Sequence, residues 1–206
     1  MKIFSVLLFF IILMIGKNIY AEPSSSWKLI KNSDGIQIES RKEAGSEYHS
    51  FQASIILKTN LDTILSVLKK VDQYPDWFAF TKAAFLIRQS RNEQTVFLET
   101  NFPWPYQNEF MEYRMVFLHE RDGRIKVTID GISKPTDRKE GLFPLKKASG
   151  SITLYPHPSE TKTETKFVYF FHSEPRQEIP TWLINPMIHE MPFQTLLALQ
   201  KRVTKD

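Results

Sequence analysis

The stretch EIPTWLINPMIHEMPFQTLLALQKRVTKD, residues 178–206, closes the chain and decides the fold. Its apolar side chains recur at the three- and four-residue spacing of a helix and form roughly one stripe: Trp182, Ile188, Met191, Leu196, Leu199 and Val203. Pro186 and Pro192 each remove a backbone hydrogen bond. The pattern predicts a short helical piece, a kink or break near the prolines, and a regular helix from about Phe193.

Six segments that precede this stretch alternate as β-strands do and are separated by short turn sequences. They are AAFLIRQS, TVFLETNF, EFMEYRMVFLHE, RIKVTIDGI, SGSITLYP and ETKFVYFFHSEP. Parallel strands need long crossovers, whereas short turns join antiparallel neighbours. The segments therefore predict an antiparallel meander.

Two further strand signals lie near the start of the chain. Asp34 and Gly35 stand between short alternating runs, which predicts a hairpin turn. The next run, YHSFQASIIL, places four apolar side chains on one face of a strand: Phe51, Ala53, Ile55 and Leu57. These runs add strands to the sheet.

One helix interrupts the strands. Its apolar positions, Leu61, Ile64, Leu65, Leu68 and Val71, have helical spacing. Thr59 or Asn60 is the expected N-cap, and Pro75 is expected to end the helix. The sequence YPDWF then predicts a tight corner in which Tyr74, Trp77 and Phe78 pack beneath the sheet.

The C-terminal helix must bury its apolar stripe, and the concave face of the twisted sheet is the one large apolar surface that these elements offer. We therefore predict an α+β fold in which a curved antiparallel sheet of seven or eight strands wraps around the long C-terminal helix. A single helix does not fill the enclosed space, so we expect an internal hydrophobic cavity.

Composition indicates one folded domain: 42% of the 206 residues are hydrophobic and 24% are charged. Residues 1–21 read as a signal peptide with cleavage after Ala21, which predicts a secreted or periplasmic domain over residues 22–206. A retained membrane anchor is the alternative. The apolar run is shorter than the roughly 20 residues that span a bilayer, which favours cleavage.

Charge and cysteine content narrow the function classes. The chain has no cysteine, which excludes disulfides and thiolate chemistry. Its net charge of +4 includes Lys2 and Lys17, and losing them with the leader leaves 25 basic and 23 acidic residues. A nearly neutral domain without a clustered basic patch is not expected to bind nucleic acid.

Five segments, in this order, resemble the bacterial branch of the START-type lipid-binding domains, part of the SRPBCC superfamily: WKLIKNSDGIQIESRKEAGSE, YPDWF, FPWP, GSITLYP and IPTWLINPMIHEMPFQTLLAL. The resemblance runs from Trp27 to Arg202. It implies a helix-grip fold and a tunnel that holds a lipid or another hydrophobic molecule. We expect no cofactor and no metal, since thiolate ligands are absent and the histidines lack the spacing of a local metal site.

Two departures from the family pattern leave the ligand type open. Asn108 and Glu109 stand where the family has an Arg-Asp pair after its Pro-Trp-Pro corner. Near KKASGSITLYP, Lys146 or Lys147 stands where the family commonly has an arginine, and Ile152 where it has a tryptophan.

Candidate ligand-binding residues come from the predicted inner faces of the sheet and helix. Trp104, held between two prolines, is interpreted either as packing against a neighbouring loop or as part of the cavity rim. The other candidates are Met111, Tyr113, Met115, Phe117, Phe167, Tyr169, Phe171, Trp182, Ile188, Met191 and Leu196. In KFVYFFH both faces are apolar, so alternation does not choose between the face of Tyr169 and the face of Phe170, which suits a strand covered on both sides. Methionine suits a cavity that accepts a mobile hydrophobic ligand, although such a stripe is also typical of an ordinary core.

No enzyme signature is present in the sequence. The five histidines are scattered, and neither a GxSxG elbow nor an HExxH pair occurs. His172 and His189 are the alternatives for an acid or base in the cavity. Glu112 or Arg114 would provide a polar anchor if either pointed inward, the alternative being solvent-exposed pairs on the outer face.

These observations predict an exported, non-enzymatic protein that sequesters or transfers a lipid-like molecule, with transient membrane contact during exchange. Two alternatives remain. The first is a cyclase or hydrolase that acts in the same cavity, and the second is a protein-interaction module with a filled core.

Overall fold

The computed structural model describes residues 26–133, 142–157 and 163–204. Ten strands lie in these ranges: β1 Lys28–Ser33, β2 Ile36–Lys42, β3 His49–Leu57, β4 Thr81–Gln89, β5 Glu93–Thr100, β6 Glu109–His119, β7 Ile125–Gly131, β8 Phe143–Pro144, β9 Lys147–His157 and β10 Glu164–Glu174. The helices are α1 Leu61–Lys69, a 3-10 helix Val71–Asp76, and α2 Thr181–Val203. The predicted leader, residues 1–21, lies outside the described residues.

The ten strands form one curved sheet in the order β1-β2-β3-β10-β9-β7-β6-β5-β4, with β8 paired to β6. Only the β6–β8 pairing is parallel in the described part of the sheet, so the predicted antiparallel arrangement is confirmed. The expected seven or eight strands were too few. All nine alternating runs enter a single sheet, and β8 is only two residues long and shows no alternation.

The N-terminal hairpin is confirmed. Asp34 has a φ of 55° and Gly35 a φ of 74°, the two positive values that a tight type I′ turn requires. On β3, the predicted inner face is buried as expected, from Phe51 to Leu57. Both elements follow directly from local pattern and turn chemistry.

Helix α1 is confirmed with a correction at its end. The Asn60 side chain accepts a hydrogen bond of 2.8 Å from the Thr63 N–H, which makes Asn60 the N-cap. The α-helix ends at Lys69 and not at Pro75, because the Lys70 N–H bonds to the Val67 carbonyl and tightens the last turn. Pro75 lies inside the following 3-10 helix.

The aromatic corner is also confirmed. Tyr74 stacks on Phe78 with ring centroids 5.5 Å apart and meets the edge of Trp77 at 5.4 Å. The Tyr74 hydroxyl donates a 2.6 Å hydrogen bond to the Leu68 carbonyl, and burial raises the pKa of this tyrosine. The corner is thereby fixed against the end of α1.

Helix α2 runs without interruption through Pro186 and Pro192, so the predicted break near these prolines is wrong. Its second half buries Phe193, Leu196, Leu199 and others against the sheet. Burial of each such side chain contributes about 1.5–3 kcal/mol, which together offsets the cost of about 3 kcal/mol per proline. Within the described residues, no helix is both long enough and apolar enough to cross a bilayer.

Candidate functional site

A cavity of about 80 Å³ lies between the first half of α2 and the concave face of the sheet. Helix α2 contributes Ile184, Met187, Ile188 and Met191. The remaining lining residues come from five strands, the aromatic corner and four loops: His49, Phe51, Phe78, Ala79, Phe80, Thr81, Leu98, Thr100, Phe102, Met111, Leu145, Tyr169, Phe171, Ser173 and Pro175. The lining is predominantly apolar.

A second cavity of about 20 Å³ lies on the side of Leu68 and Tyr74. It shares five lining residues with the first: Phe78, Leu98, Met111, Tyr169 and Phe171. One water needs roughly 10–15 Å³ of such space, so the second cavity has room for about one small group and the first for several. The shared side chains form a wall between the two spaces.

The structure brings seven of the predicted ligand-binding residues to these cavities. Met111, Tyr169 and Phe171 line both cavities. The others line one cavity each, namely Tyr113 and Met115 the smaller, and Ile188 and Met191 the larger.

Three predicted residues lie in the packed core and not at either cavity. Phe117, Phe167 and Leu196 are at most 2% exposed. The predicted strand phase of Phe117 and the predicted helix stripe that contains Leu196 are confirmed as inward-facing, whereas alternation does not choose a face for Phe167. None of the three is among the residues that line either cavity.

Trp104 and Trp182 point into solvent, with 91% and 75% of their surface exposed. The interpretation that Trp104 packs against a neighbouring loop is therefore wrong, and Trp104 is not among the residues that line either described cavity. Gln107 is tied to Gln177 by hydrogen bonds of 3.0 and 2.7 Å, which anchors this loop beside Trp104 while the indole stays free. Trp182 occupies the first turn of α2, whose exposed side it shares with Thr181.

Sequence analysis missed the polar lining residues: His49, Thr81, Thr100 and Ser173. A signal for three of them was present, since His49 has the inward phase of Phe51, Thr100 that of Leu98 and Ser173 that of Phe171. Because alternation was followed only through apolar side chains, the polar ends of these inner faces were not recognised.

Two imidazoles lie close to the cavity. His49 shares a 3.2 Å hydrogen bond between its Nδ1 and the Ser40 hydroxyl, and burial, followed by the charges of Lys42 and Lys28, lowers its pKa. His189 is half-buried on α2, where burial and the neighbouring His49 lower its pKa. Both effects favour neutral rings at neutral pH.

His172 lies on the opposite face of the sheet from the cavity, because its neighbour Phe171 points inward. Its Nδ1 is 3.1 Å from the Ser50 hydroxyl and its Nε2 is 3.2 Å from Glu174 Oε1. Ser50 in turn donates a 2.6 Å hydrogen bond to Glu43. The side chain is 3% exposed, so His172 belongs to a buried polar cluster and does not reach the cavity.

Neither Glu112 nor Arg114 lines the described cavities. Arg114 is exposed and lies 4.0 Å from Asp130 on the outer face, as the solvent-pair alternative predicts. Glu112 differs from that alternative because it is buried.

Glu109, one of the residues that depart from the family pattern, holds the segment that leads into α2. Its buried carboxylate accepts hydrogen bonds of 2.8 Å from the backbone N–H groups of both Arg176 and Gln177, and one of 3.0 Å from the Gln177 side chain. Hydrogen bonds to an ionised acceptor are stronger than neutral ones. Glu109 therefore fixes the entrance to α2.

The middle of α2 is connected to the sheet edge by Lys31 of β1. The Lys31 ammonium lies 3.3 Å from Glu190 Oε2 and 3.3 Å from the centre of the Phe193 ring. One side chain thus makes an ion pair and a cation–π contact across the helix–sheet boundary.

Two lipid transfer proteins of known structure share the fold of this chain. A STAR-related lipid transfer protein from Xanthomonas axonopodis superposes with a TM-score of 0.79 at 28% identity, covering 88% of this chain and all of that one. Human StAR-related lipid transfer protein 5 gives a TM-score of 0.75 at 15% identity, with 90% of both chains covered. The resemblance to START-type lipid-binding domains is confirmed, and the chain has their helix-grip fold.

The relatives found by sequence include a lipid transfer protein and an uncharacterized bacterial protein. Rat phosphatidylcholine transfer protein is 24% identical over 171 residues, which cover 80% of this chain and 78% of the relative. An uncharacterized protein of Pseudomonas aeruginosa is 22% identical over 182 residues, covering 88% of this chain and 89% of the relative. No protein-family model matches the chain.

Proposed function

We propose that this chain is an exported, non-enzymatic carrier that takes up a lipid or another hydrophobic molecule between α2 and the sheet and releases it at a membrane. The observation that carries the proposal is the apolar cavity beneath the first half of α2. The named relatives that are lipid transfer proteins support it. Export rests on the sequence of residues 1–21.

The driving force is desolvation of apolar chains. Each buried methylene contributes about 0.8 kcal/mol. The two cavities, of about 80 and 20 Å³, are small for an acyl chain. Loading therefore joins them into one tunnel by displacing the shared side chains, among which Met111 is the most adaptable.

Entry requires the first half of α2 to move outward. Ile184 is buried here, whereas Met187, Ile188 and Met191 are only partly buried and form one wall of the cavity. Pro186 and Pro192 withhold two backbone hydrogen bonds from this half of the helix. We therefore assign the hinge to INPMIHEMP, residues 184–192.

Transient membrane contact is made by exposed aromatic side chains near this end of the molecule. Trp104 lies in the loop that is hydrogen-bonded to the segment before α2, and Trp182 lies in the first turn of α2. Indole rings favour the interface between lipid and water, where one side is apolar and the N–H stays hydrated.

Native mass spectrometry of the purified chain tests ligand carriage directly, followed by organic extraction of the molecules that co-purify. Helix movement is tested with the pair Lys31→Cys and Glu190→Cys joined by a short bis-maleimide. We expect the cross-linked protein to lose lipid uptake, while the same double variant capped with a monofunctional maleimide keeps it. Undiminished uptake after cross-linking would refute helix opening, and a chain that binds no lipid would refute carriage.

A further inference from the structure

Five of the residues that line the larger cavity have hydrogen-bonding side chains, and none of the lining residues in the described part of the chain is Asp, Glu, Lys or Arg. His49 lies on β3, and Tyr169 and Ser173 lie on β10. Thr81 and Thr100 face each other in register on β4 and β5. The wall thus offers hydroxyl groups and an imidazole to a ligand, without a formal charge.

The Thr81 hydroxyl is buried and has no hydrogen-bond partner among the described residues. A buried polar group without a partner costs about 1–3 kcal/mol. A ligand hydroxyl or carbonyl group placed beside the Thr81 oxygen would remove this cost. Of the hydrogen-bonding groups in this wall, the Thr81 oxygen is the one that is both buried and without a partner among the described residues, which makes it a specific point of attachment.

The backbone next to Thr81 is held in an unfavourable conformation. Phe80, which also lines the cavity, has a φ of 58°, in the left-handed region that a bulky side chain rarely adopts. Two hydrogen bonds fix this segment: the Asn101 N–H donates to the Phe80 carbonyl at 2.7 Å, and the Ala79 N–H donates to the Thr195 hydroxyl of α2 at 3.1 Å. Such strain persists where surrounding structure enforces it, and it clusters at ligand-binding positions.

A charged head group has no partner in this wall. An anionic phosphate inside the cavity would lose its hydration without gaining an ion pair, and an unpaired buried charge is strongly unfavourable. A head group left outside in water would avoid that cost but would leave the Thr81 hydroxyl unsatisfied.

We infer that the cavity selects uncharged lipids whose hydroxyl or carbonyl group hydrogen-bonds to the Thr81 side chain, in preference to lipids that carry a phosphate. This inference rests on the proposed carrier function and adds the class of ligand to it. The geometry that carries it is the buried, unpartnered Thr81 oxygen in an uncharged wall beside the strained Phe80 backbone.

The test is competitive extraction of lipid from phosphatidylcholine vesicles that contain equal small fractions of dioleoylglycerol and dioleoyl phosphatidic acid. Lipid captured by the purified chain is counted by mass spectrometry. We expect at least tenfold more dioleoylglycerol than phosphatidic acid or phosphatidylcholine, after correction for their abundance. Equal capture of the phosphate-bearing lipids would overturn the inference and leave the carrier function intact.

Variants at Thr81 distinguish the effect of the hydroxyl group on lipid capture from the effect of the side chain's shape. Thr81→Val keeps the volume and is expected to lower dioleoylglycerol capture about tenfold, while uptake of the hydrocarbon squalene stays unchanged. Thr81→Ser retains the hydroxyl and is expected to keep the preference, and Thr128→Val on the outer face of β7 is the matched control. Unchanged dioleoylglycerol capture by Thr81→Val would overturn the inference, and failure of the unmodified chain to capture any lipid or squalene would overturn the carrier function with it.

Discussion

Replacing Lys31 with methionine is expected to loosen the first half of α2 without unfolding the sheet. The change removes the ammonium group and keeps a long apolar side chain. The ion pair to Glu190 joins side chains that are 34% and 44% exposed, so it contributes about 0.5 kcal/mol. The contact with the Phe193 ring adds about 0.5–1 kcal/mol at an exposed site. The sum, about 1–1.5 kcal/mol, corresponds to a roughly five- to twelvefold increase in helix opening.

Hydrogen exchange measures this opening residue by residue. Amide protection over residues 184–191 should fall by that factor in Lys31→Met, while protection in β10 stays at its original level. Glu190→Gln removes the ion pair and leaves the contact with the Phe193 ring, so it should produce about a third to a half of the free-energy change. Raising the salt concentration should affect the original chain in the same direction, because exposed charges are screened.

Two results would refute this reasoning. Unchanged protection over residues 184–191 would show that Lys31 does not hold the helix. An equal loss of protection in β10 would show that the substitution lowers global stability and does not act on a local opening.

Three other outcomes are expected. Leu196→Ala should lower the free energy of unfolding by about 3–5 kcal/mol in urea titration, because the side chain is fully buried in the core, and a loss below 1 kcal/mol would contradict that packing. Burial and the neighbouring His49 lower the pKa of His189, so at this histidine the folded protein binds fewer protons than the unfolded chain does. The contribution of His189 to the free energy of unfolding should therefore be fully present above about pH 6.5, the usual pKa of a histidine, and should be lost as the pH drops toward the folded-state pKa. His189→Gln should reduce the dependence of the urea midpoint on pH. If the slope of that midpoint against pH stays unchanged in the variant, His189 is not the group responsible. Replacing Trp104 and Trp182 with serine should abolish co-sedimentation with vesicles but shift unfolding by less than about 0.5 kcal/mol, and undiminished co-sedimentation would exclude these side chains as the membrane contact.

Local pattern accounts for most of the fold. Alternation on β3 identified the buried face that contains Phe51, and helical spacing with Asn60 identified α1. Both signals are short-range, since each depends on neighbours within a few positions. The continuity of α2 was missed because the effect of Pro192 on an isolated helix was weighed without the tertiary packing that holds the helix together.

The candidate site was only partly predictable, for a different reason. Phase along a strand distinguishes the inner from the outer face only where one face is polar. Met111 was therefore identified correctly as inward-facing, whereas alternation could not choose between the two apolar faces of the strand that carries Tyr169. Phase does not distinguish a packed interior position such as Phe167 from one beside a cavity, because that depends on how far the partner helix covers the sheet. Trp104 was misread because a large apolar side chain was assumed to have a contact, whereas the loop beside it is fixed by Gln107 and Gln177.

The pairing of β3 with β10 also determines when the protein can fold. Ser50 and His172, which meet across this pairing, are 122 residues apart in the chain. Closing such a distance costs configurational entropy before any stabilising contact forms, so domains rich in distant pairings fold slowly. A growing chain leaves the ribosome with the edge of β3 unpaired until β10 has emerged, and α2 follows later still. The molecule therefore acquires its native structure only after nearly all of it has been synthesised.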